Sequence, residues 1–177
     1  MKLFLLGLVP LACNARPAAM AAPNEVVFVC EHGAAKSVVA SQYFNKLAAE
    51  RGLAIRSIAR GADPQAELSI SAVKGLKEDG LPPTAGAPRP LTASDVRGSA
   101  RVIAFDCEQP AMKALRGMDA CWDDVPATGE DYVRARDRIR AHVESMVGDM
   151  VAQEVRRASS FGSRGGDGPQ LPAHEPP

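Results

Sequence analysis

The chain has 177 residues, of which 46% are hydrophobic and 24% are charged, and 21 Lys and Arg residues balance 21 Asp and Glu residues. This length and composition predict one globular domain that is large enough to bury a core. Because there is no net charge, nothing favours nucleic acid or an anionic membrane surface, and we expect neither as a partner of the mature chain.

The beginning of the chain has the pattern of an export signal. Lys2 is followed by an apolar run from residue 3 to residue 12, and small residues flank Met20 ahead of a cleavage position. Residues 1–21 are therefore predicted to be a signal-like leader, which implies a periplasmic or secreted protein. Two alternatives stay open: a true start near Asn24, which would make the protein cytoplasmic, and a lipoprotein anchored through Cys13.

The other end of the chain is rich in Gly, Pro and Ser, and apolar residues almost disappear from it. Such segments bury too little apolar surface to fold, so residues 156–177 are predicted to be a disordered tail. Residues 22–155 remain as the folded domain.

Within this domain, short β-branched runs alternate with helical patterns. Strands are predicted at residues 25–30, 54–59, 101–106 and 118–122, and helices at residues 36–51, 69–78, 91–96, 112–116 and 129–154. Thr92 and Asp95 have the spacing of a capping box. The alternation predicts an α/β fold: a small, doubly wound, flavodoxin-like sheet of four parallel strands with helices on both faces. Ligands bind beyond the carboxyl ends of such strands, and the first strand ends at Cys30.

The loop that follows this strand has the composition of an oxyanion-binding loop. Its predicted anion-binding residues are Glu31, His32, Gly33, Ala34, Ala35, Lys36 and Ser37. Backbone amides in such a loop can surround an anion, and the N-terminus of the next helix adds partial positive charge. The same field favours a thiolate at Cys30, which could act as a nucleophile. The Lys36 ammonium could neutralise the anion, and the Ser37 hydroxyl could donate to the thiolate.

The sequence resembles the superfamily of low-molecular-weight protein tyrosine phosphatases and thioredoxin-type arsenate reductases. Val27-Phe28-Val29-Cys30 is similar to the end of the family's first strand, and Cys30-x5-Lys36-Ser37 to its Cys-x5-Arg-Ser loop. Further similarity lies in residues 57–61, 88–92, 102–107 and 122–139, so it covers about residues 26 to 147. The resemblance implies the predicted fold and cysteine chemistry on a phosphate or arsenate oxyanion, without a cofactor.

Two departures from the family pattern affect the expected activity. Lys36 stands where the family has arginine, and a lysine cannot hold two oxyanion oxygens in a planar fork. The family's Asp-Pro dipeptide, which carries its general acid, is not intact: residues 122–127 are Trp-Asp-Asp-Val-Pro-Ala. We take Asp124 as the candidate acid and Asp123 as the reserve, and the alternative is that both are loop carboxylates and no acid is in place. We also expect Glu31 to face solvent.

The cysteines beyond the loop admit two interpretations. The mature chain has three, and an odd number does not suggest a simple disulfide framework. By the resemblance, Cys107 is a candidate redox partner of Cys30 and thioredoxin a candidate reductant. The alternative is that Cys107 and Cys121 are small buried hydrophobic residues. His32 has no partner at metal-ligand spacing, so no metal site is predicted.

Three functions therefore compete. The first is hydrolysis of a phosphomonoester, with phosphotyrosine as one candidate, through a cysteinyl-phosphate intermediate. The second is arsenate reduction with Cys30 and Cys107. The third is a catalytically weakened module that binds an oxyanion or a partner without turnover. Trapping of a phosphoryl group on Cys30 would favour the first, a substrate-induced disulfide the second, and anion binding without turnover the third.

Overall fold

The computed structural model describes residues 24–83 and 86–162. The predicted leader and residues 163–177 of the predicted tail lie outside these ranges. No helix in the described ranges combines the length and the apolar character that crossing a membrane requires.

The described domain is built on one parallel sheet. Its strands are β1 (Glu25–Cys30), β2 (Arg56–Gly61), β3 (Arg101–Phe105) and β4 (Ala120–Trp122), and its helices are α1 (Lys36–Glu50), α2 (Ile70–Glu78), α3 (Ala93–Gly98), α4 (Pro110–Lys113) and α5 (Tyr132–Gly162). The strands lie in the order β2-β1-β3-β4, and every neighbouring pair is parallel. This confirms the predicted four-stranded parallel α/β sheet.

Helices cover both faces of the sheet, as predicted. Alternate residues of β1 point to opposite faces, so Val26 and Phe28 pack in a core with α1, α2 and α5, while Val27 and Val29 pack in a smaller core with Met112. Because β1 lies between β2 and β3 and is covered on both sides, its last five residues are all buried. The end of β1 is therefore a rigid place from which to project a functional side chain.

Asp79, just after α2, ties three helices together. Its carboxylate accepts hydrogen bonds from the Tyr43 hydroxyl of α1 at 2.8 Å and from the Tyr132 hydroxyl and the Arg136 guanidinium of α5 at 2.6 and 2.9 Å. Burial alone would raise the pKa of Asp79, but these three hydrogen bonds outweigh it and hold the pKa below its ordinary value. Burial and the Asp79 carboxylate raise the pKa of both tyrosines.

Some predicted boundaries were wrong. Helix α5 continues to Gly162, so the prediction of disorder fails for residues 156–162, where Arg and Ala favour helix without any need for burial. Strand β2 begins and ends two residues later than predicted: it spans Arg56–Gly61, and Gly61 pairs with Cys30. The predicted capping box is confirmed: the Thr92 hydroxyl accepts from the Asp95 backbone N–H, and the Asp95 carboxylate accepts from that of Thr92.

Candidate active site

The nucleophile candidate lies at the carboxyl end of the central strand. Cys30 is 6% exposed and is the free cysteine of the described residues. Its Sγ lies 3.2 Å from the Oγ of Ser37, which is wholly buried in the first turn of α1. In this position the Ser37 hydroxyl can donate a hydrogen bond to a thiolate and stabilise it, as predicted from the sequence.

The loop after Cys30 is held by its carbonyl groups. The carbonyls of Cys30, Glu31, His32 and Ala34 accept hydrogen bonds from the backbone amides of Ala62, Asp63, Gln65 and Ser69, respectively. By contrast, within residues 24–83 and 86–162, no backbone amide of residues 31–35 donates a hydrogen bond to protein. Amides without a protein acceptor are free to donate to a ligand, and a ring of them is suited to an oxyanion.

Two glycines allow the loop to lie against β2. Gly33 has a φ of +63°, which an L-residue rarely adopts. A Cβ on Gly33 would lie 2.7 Å from the backbone N of Gly61, and a Cβ on Gly61 would lie 2.9 Å from the backbone N of Gly33. Neither contact can be relieved by a side-chain rotation, because both involve backbone. The loop can therefore take this shape only with glycine at both positions.

Helix α1 begins directly after this loop, so its N-terminus adds to the anion-binding character of the loop. The helix has 15 residues, and the residue before it, Ala35, has no side chain that could cap the first amides. A bound anion can take the place of a capping side chain, since the helix carries partial positive charge at this end.

A cavity of about 300 Å³ opens over the loop. It is lined by Cys30, Glu31, His32, Ala34, Ala35, Lys36, Gln65, Ser69, Asp106, Ala127, Thr128 and Gly129. The fold therefore brings together most of the residues predicted for the oxyanion site. Gly33 and Ser37 support the loop without lining the cavity, and neither Asp124 nor Cys107 lines it.

Lys36 is engaged by protein groups. Its Nζ donates to both carboxylate oxygens of Asp106 at 2.7 Å and to the carbonyl oxygen of Val125 at 2.6 Å. An ammonium has three N–H donors, and here each has an acceptor within the protein. Lys36 lines the cavity and supplies positive charge to it, but it has no donor left for a direct hydrogen bond to an anion in this arrangement.

Asp106 is the charged residue of the cavity that sequence reasoning missed. It follows the last residue of β3, lines the cavity and has a φ of +52°, unusual for a residue other than glycine. Two sequence features could have found it. An aspartate ends the predicted third strand, at the edge of the sheet where ligands bind, and a lysine close to Cys30 would require a counter-ion if it were buried.

The structure does not place Asp124 where a general acid is needed. Asp124 lies at the surface, where its Oδ1 is 2.7 Å from the Nε2 of His142 and its Oδ2 is 4.0 Å from Arg138. The hydrogen bond with His142, helped by the charges of both neighbours, lowers the pKa of Asp124. A carboxyl group that must donate a proton near neutral pH needs a raised pKa, so we withdraw the assignment of Asp124 as the general acid.

The other cysteines also differ from the prediction. Cys107 and Cys121 form a disulfide with a Cα–Cα distance of 6.3 Å, and Cys121 is exposed. Of the three cysteines predicted for the mature chain, Cys30 is a free thiol and the other two form a disulfide. The odd number of cysteines had argued against a simple disulfide framework, and it did not reveal this pair. In the described state Cys107 is bonded to Cys121, so it is not available as a thiol to Cys30.

Glu31 was expected to face solvent, but it lines the cavity and is only partly exposed. Its side chain is 37% exposed, and its Oε2 is 3.8 Å from the Nε2 of His32. The Nδ1 of His32 is in turn 3.2 Å from the carbonyl oxygen of Asp63. Glu31 and Asp106 thus give the cavity two carboxylates, which Lys36 balances only in part.

Comparison with known proteins agrees with this geometry. Residues 25–148 match the sequence model of the family described as low molecular weight phosphotyrosine protein phosphatase. The chain belongs to this family. The match spans all four strands and most of α5, so the family's whole sheet and its cysteine loop are present. No curated protein matches the chain.

Several solved structures share the fold at low sequence identity. A thioredoxin-dependent arsenate reductase from Corynebacterium glutamicum is 20% identical, with a TM-score of 0.58 over 77% of this chain; the match spans 65% of the reductase. A mutant of the Bacillus subtilis protein YwlE is 18% identical, with a TM-score of 0.59 over 71% of this chain and 97% of its own. Vibrio vulnificus Wzb, solved with benzylphosphonate, is 12% identical, with a TM-score of 0.60 over 72% of this chain and 99% of its own.

Proposed function

We propose that this protein hydrolyses phosphomonoesters through a cysteinyl-phosphate on Cys30. The Cys30 thiolate attacks phosphorus, and the bond from phosphorus to the leaving oxygen breaks. Water then attacks the phosphorus of the cysteinyl-phosphate, which breaks the sulfur–phosphorus bond and releases phosphate and the thiolate. The amides of residues 31–35 hold the three non-bridging oxygens in both steps, and Ser37 stabilises the thiolate between them.

One observation carries this proposal. A buried free thiol lies at the end of the central strand, beside a loop whose carbonyls are tied to neighbouring backbone while its amides have no acceptor in the described protein. An amide ring of this kind favours a tetrahedral or trigonal anion with its centre near the sulfur. A buried cysteine with only a packing role would not need such a loop.

The lining of the cavity indicates which phosphomonoesters react best. With Asp124 paired at the surface, Glu31 and Asp106 are the carboxylates of the described cavity, and both oxygens of Asp106 accept from Lys36. The described cavity therefore has no well-placed acid to protonate the leaving oxygen. Esters whose leaving group needs no proton, such as aryl phosphates and hence phosphotyrosine, should react faster than alkyl phosphates.

The test is turnover of an aryl phosphate and an alkyl phosphate by the wild type and Cys30→Ser. We expect the aryl phosphate to react faster and both activities to fall to background in the variant. Equal rates with the two substrates would contradict the weak-acid argument. Phosphate binding without any turnover would favour the non-catalytic module, which is the alternative that keeps the loop but not the chemistry.

Arsenate reduction is a second candidate, and the Cys107–Cys121 pair favours it. In that reaction Cys30 would bind arsenic, and a thiol would then form a disulfide as arsenic accepts two electrons and falls from the +5 to the +3 state. Because Cys107 and Cys121 are oxidised in the described structure, a reductant such as thioredoxin would have to open the pair first. Arsenate-dependent oxidation of reduced thioredoxin, lost in both Cys30→Ser and Cys107→Ser, would support this candidate over the phosphatase.

A further inference from the structure

Next to the catalytic cavity lies a second group of chemically reactive side chains. Strands β3 and β4 are paired in register up to Phe105 and Trp122, so residues at the end of β4 and just beyond both strands lie side by side. Cys107, Cys121 and Asp123 each offer one ligand atom there, and these atoms lie within 4.8 Å of one another. Cys121 and Asp123 are exposed and Cys107 is half-buried, so an ion could reach all three from solvent.

We propose that the reduced protein binds Zn²⁺ through the thiolates of Cys107 and Cys121 and the carboxylate of Asp123, with water in the fourth position. Thiolate sulfur is a preferred ligand of Zn²⁺, and three protein ligands plus water are an established form of tetrahedral zinc site. Two thiolates on a tetrahedral zinc ion are about 3.8 Å apart, given Zn–S bonds of about 2.3 Å. Two cysteines close enough to form a disulfide can reach this spacing by side-chain rotation.

The position of Asp123 supports the site. Its Oδ1 accepts a hydrogen bond from the backbone N–H of Cys107 at 2.8 Å and lies 3.0 Å from the Sγ of Cys121. The carboxylate is therefore already oriented toward the sulfur pair by a backbone donor, which is how ligands of metal sites are commonly fixed. A carboxylate oxygen has more than one lone pair, so it can keep this hydrogen bond while the carboxylate binds the ion.

The disulfide and the zinc ion exclude each other, since both need the same two sulfur atoms. Opening the Cys107–Cys121 bond takes two electrons and two protons and gives two thiols, and zinc binding then releases the two protons as the thiolates coordinate. A phosphine reductant supplies the electrons in vitro and becomes phosphine oxide, with its oxygen taken from water. Reducing conditions therefore favour the metal form, and an oxidising compartment favours the disulfide.

The experiment titrates Zn²⁺ into the metal-free full chain against a chromophoric chelator, with and without the phosphine. We expect one equivalent bound by the reduced protein and none by the oxidised protein. Cys107→Ser and Cys121→Ser should each abolish this binding, and Asp123→Asn should weaken it about tenfold or more. Far-UV circular dichroism checks that each variant is folded.

Cys30→Ser is the matched control, because it removes the free thiol of the described residues without touching the proposed ligands. Its zinc stoichiometry should equal that of the wild type, and Co²⁺ in place of Zn²⁺ should give a thiolate-to-cobalt charge-transfer band in Cys30→Ser but not in Cys121→Ser. The proposal is overturned if the reduced protein binds no zinc or if the oxidised protein binds it equally well. It is also overturned if binding depends on Cys30 instead of Cys121.

Discussion

The ammonium of Lys36 lies 2.7 Å from both carboxylate oxygens of Asp106, and this pair links the first turn of α1 to the end of β3 beside the nucleophile. The resemblance in the sequence implies arginine at this position. Since the ammonium also donates to the carbonyl of Val125, the surroundings of this position are already fitted to lysine. A change at Lys36 therefore acts on Asp106 as well as on the anion.

Lys36→Arg alone should not raise turnover of an aryl phosphate, because the guanidinium would stay paired with Asp106. Lys36→Arg combined with Asp106→Ala should raise kcat/KM about tenfold over Asp106→Ala alone, since a freed guanidinium can hold two oxyanion oxygens. Steady-state kinetics of the four proteins form a double-mutant cycle. A tenfold rise from Lys36→Arg by itself would show that Asp106 does not restrain this position.

Asp124→Asn should leave kcat within about twofold of the wild type, because Asp124 is paired with His142 outside the cavity. Asp106→Asn removes a negative charge that faces the anion, so we expect inorganic phosphate to inhibit this variant at lower concentration. Aryl phosphate kinetics and phosphate inhibition constants measure both effects. A large loss of kcat in Asp124→Asn alone would restore Asp124 as the candidate general acid.

The fold and the loop could be predicted from the sequence because their determinants are local. The β-branched run at β1, the Cys-x5-Lys-Ser spacing and the Thr92–Asp95 capping box all depend on neighbours within a few residues. The pairing of Cys107 with Cys121 could not be predicted, because it depends on the register of β3 and β4. The Lys36–Asp106 pair joins residues that are 70 positions apart, so the sequence could suggest Asp106 only through its place at the end of the third strand.

Gly61→Ala should weaken phosphate binding about tenfold or more, because the new Cβ would lie 2.9 Å from the backbone of Gly33 and would push the loop away from β2. Gly129→Ala is the control: Gly129 lines the cavity over the loop, and a Cβ there meets nothing within 4 Å. Protection of Cys30 from iodoacetamide by phosphate measures the effect. Equal protection in both variants would mean that close packing of the two glycines does not shape the site.

Asp79→Asn should lower the free energy of unfolding by about 1–3 kcal/mol, since three charge-assisted hydrogen bonds converge on the carboxylate. The folded-state pKa of Asp79 is depressed below the unfolded value of about 3.9, so its stabilisation is present above that pH and is lost as pH falls through the folded-state pKa. Urea unfolding of wild type and variant should therefore differ at pH 7 and converge on acidification below about pH 4. Glu144→Gln, which breaks an exposed pair with Arg140, should change stability by less than about 1 kcal/mol at either pH.

The central claim is that Cys30 carries the phosphoryl group. It is tested most directly by rapid acid quench of an aryl phosphate reaction, followed by mass spectrometry of the peptide that contains residue 30. We predict one added phosphoryl group on Cys30 in the wild type and in Cys107→Ser, and neither this adduct nor turnover in Cys30→Ser. Undiminished turnover in Cys30→Ser, or a phosphoryl group attached to a different residue of the wild type, would contradict the account.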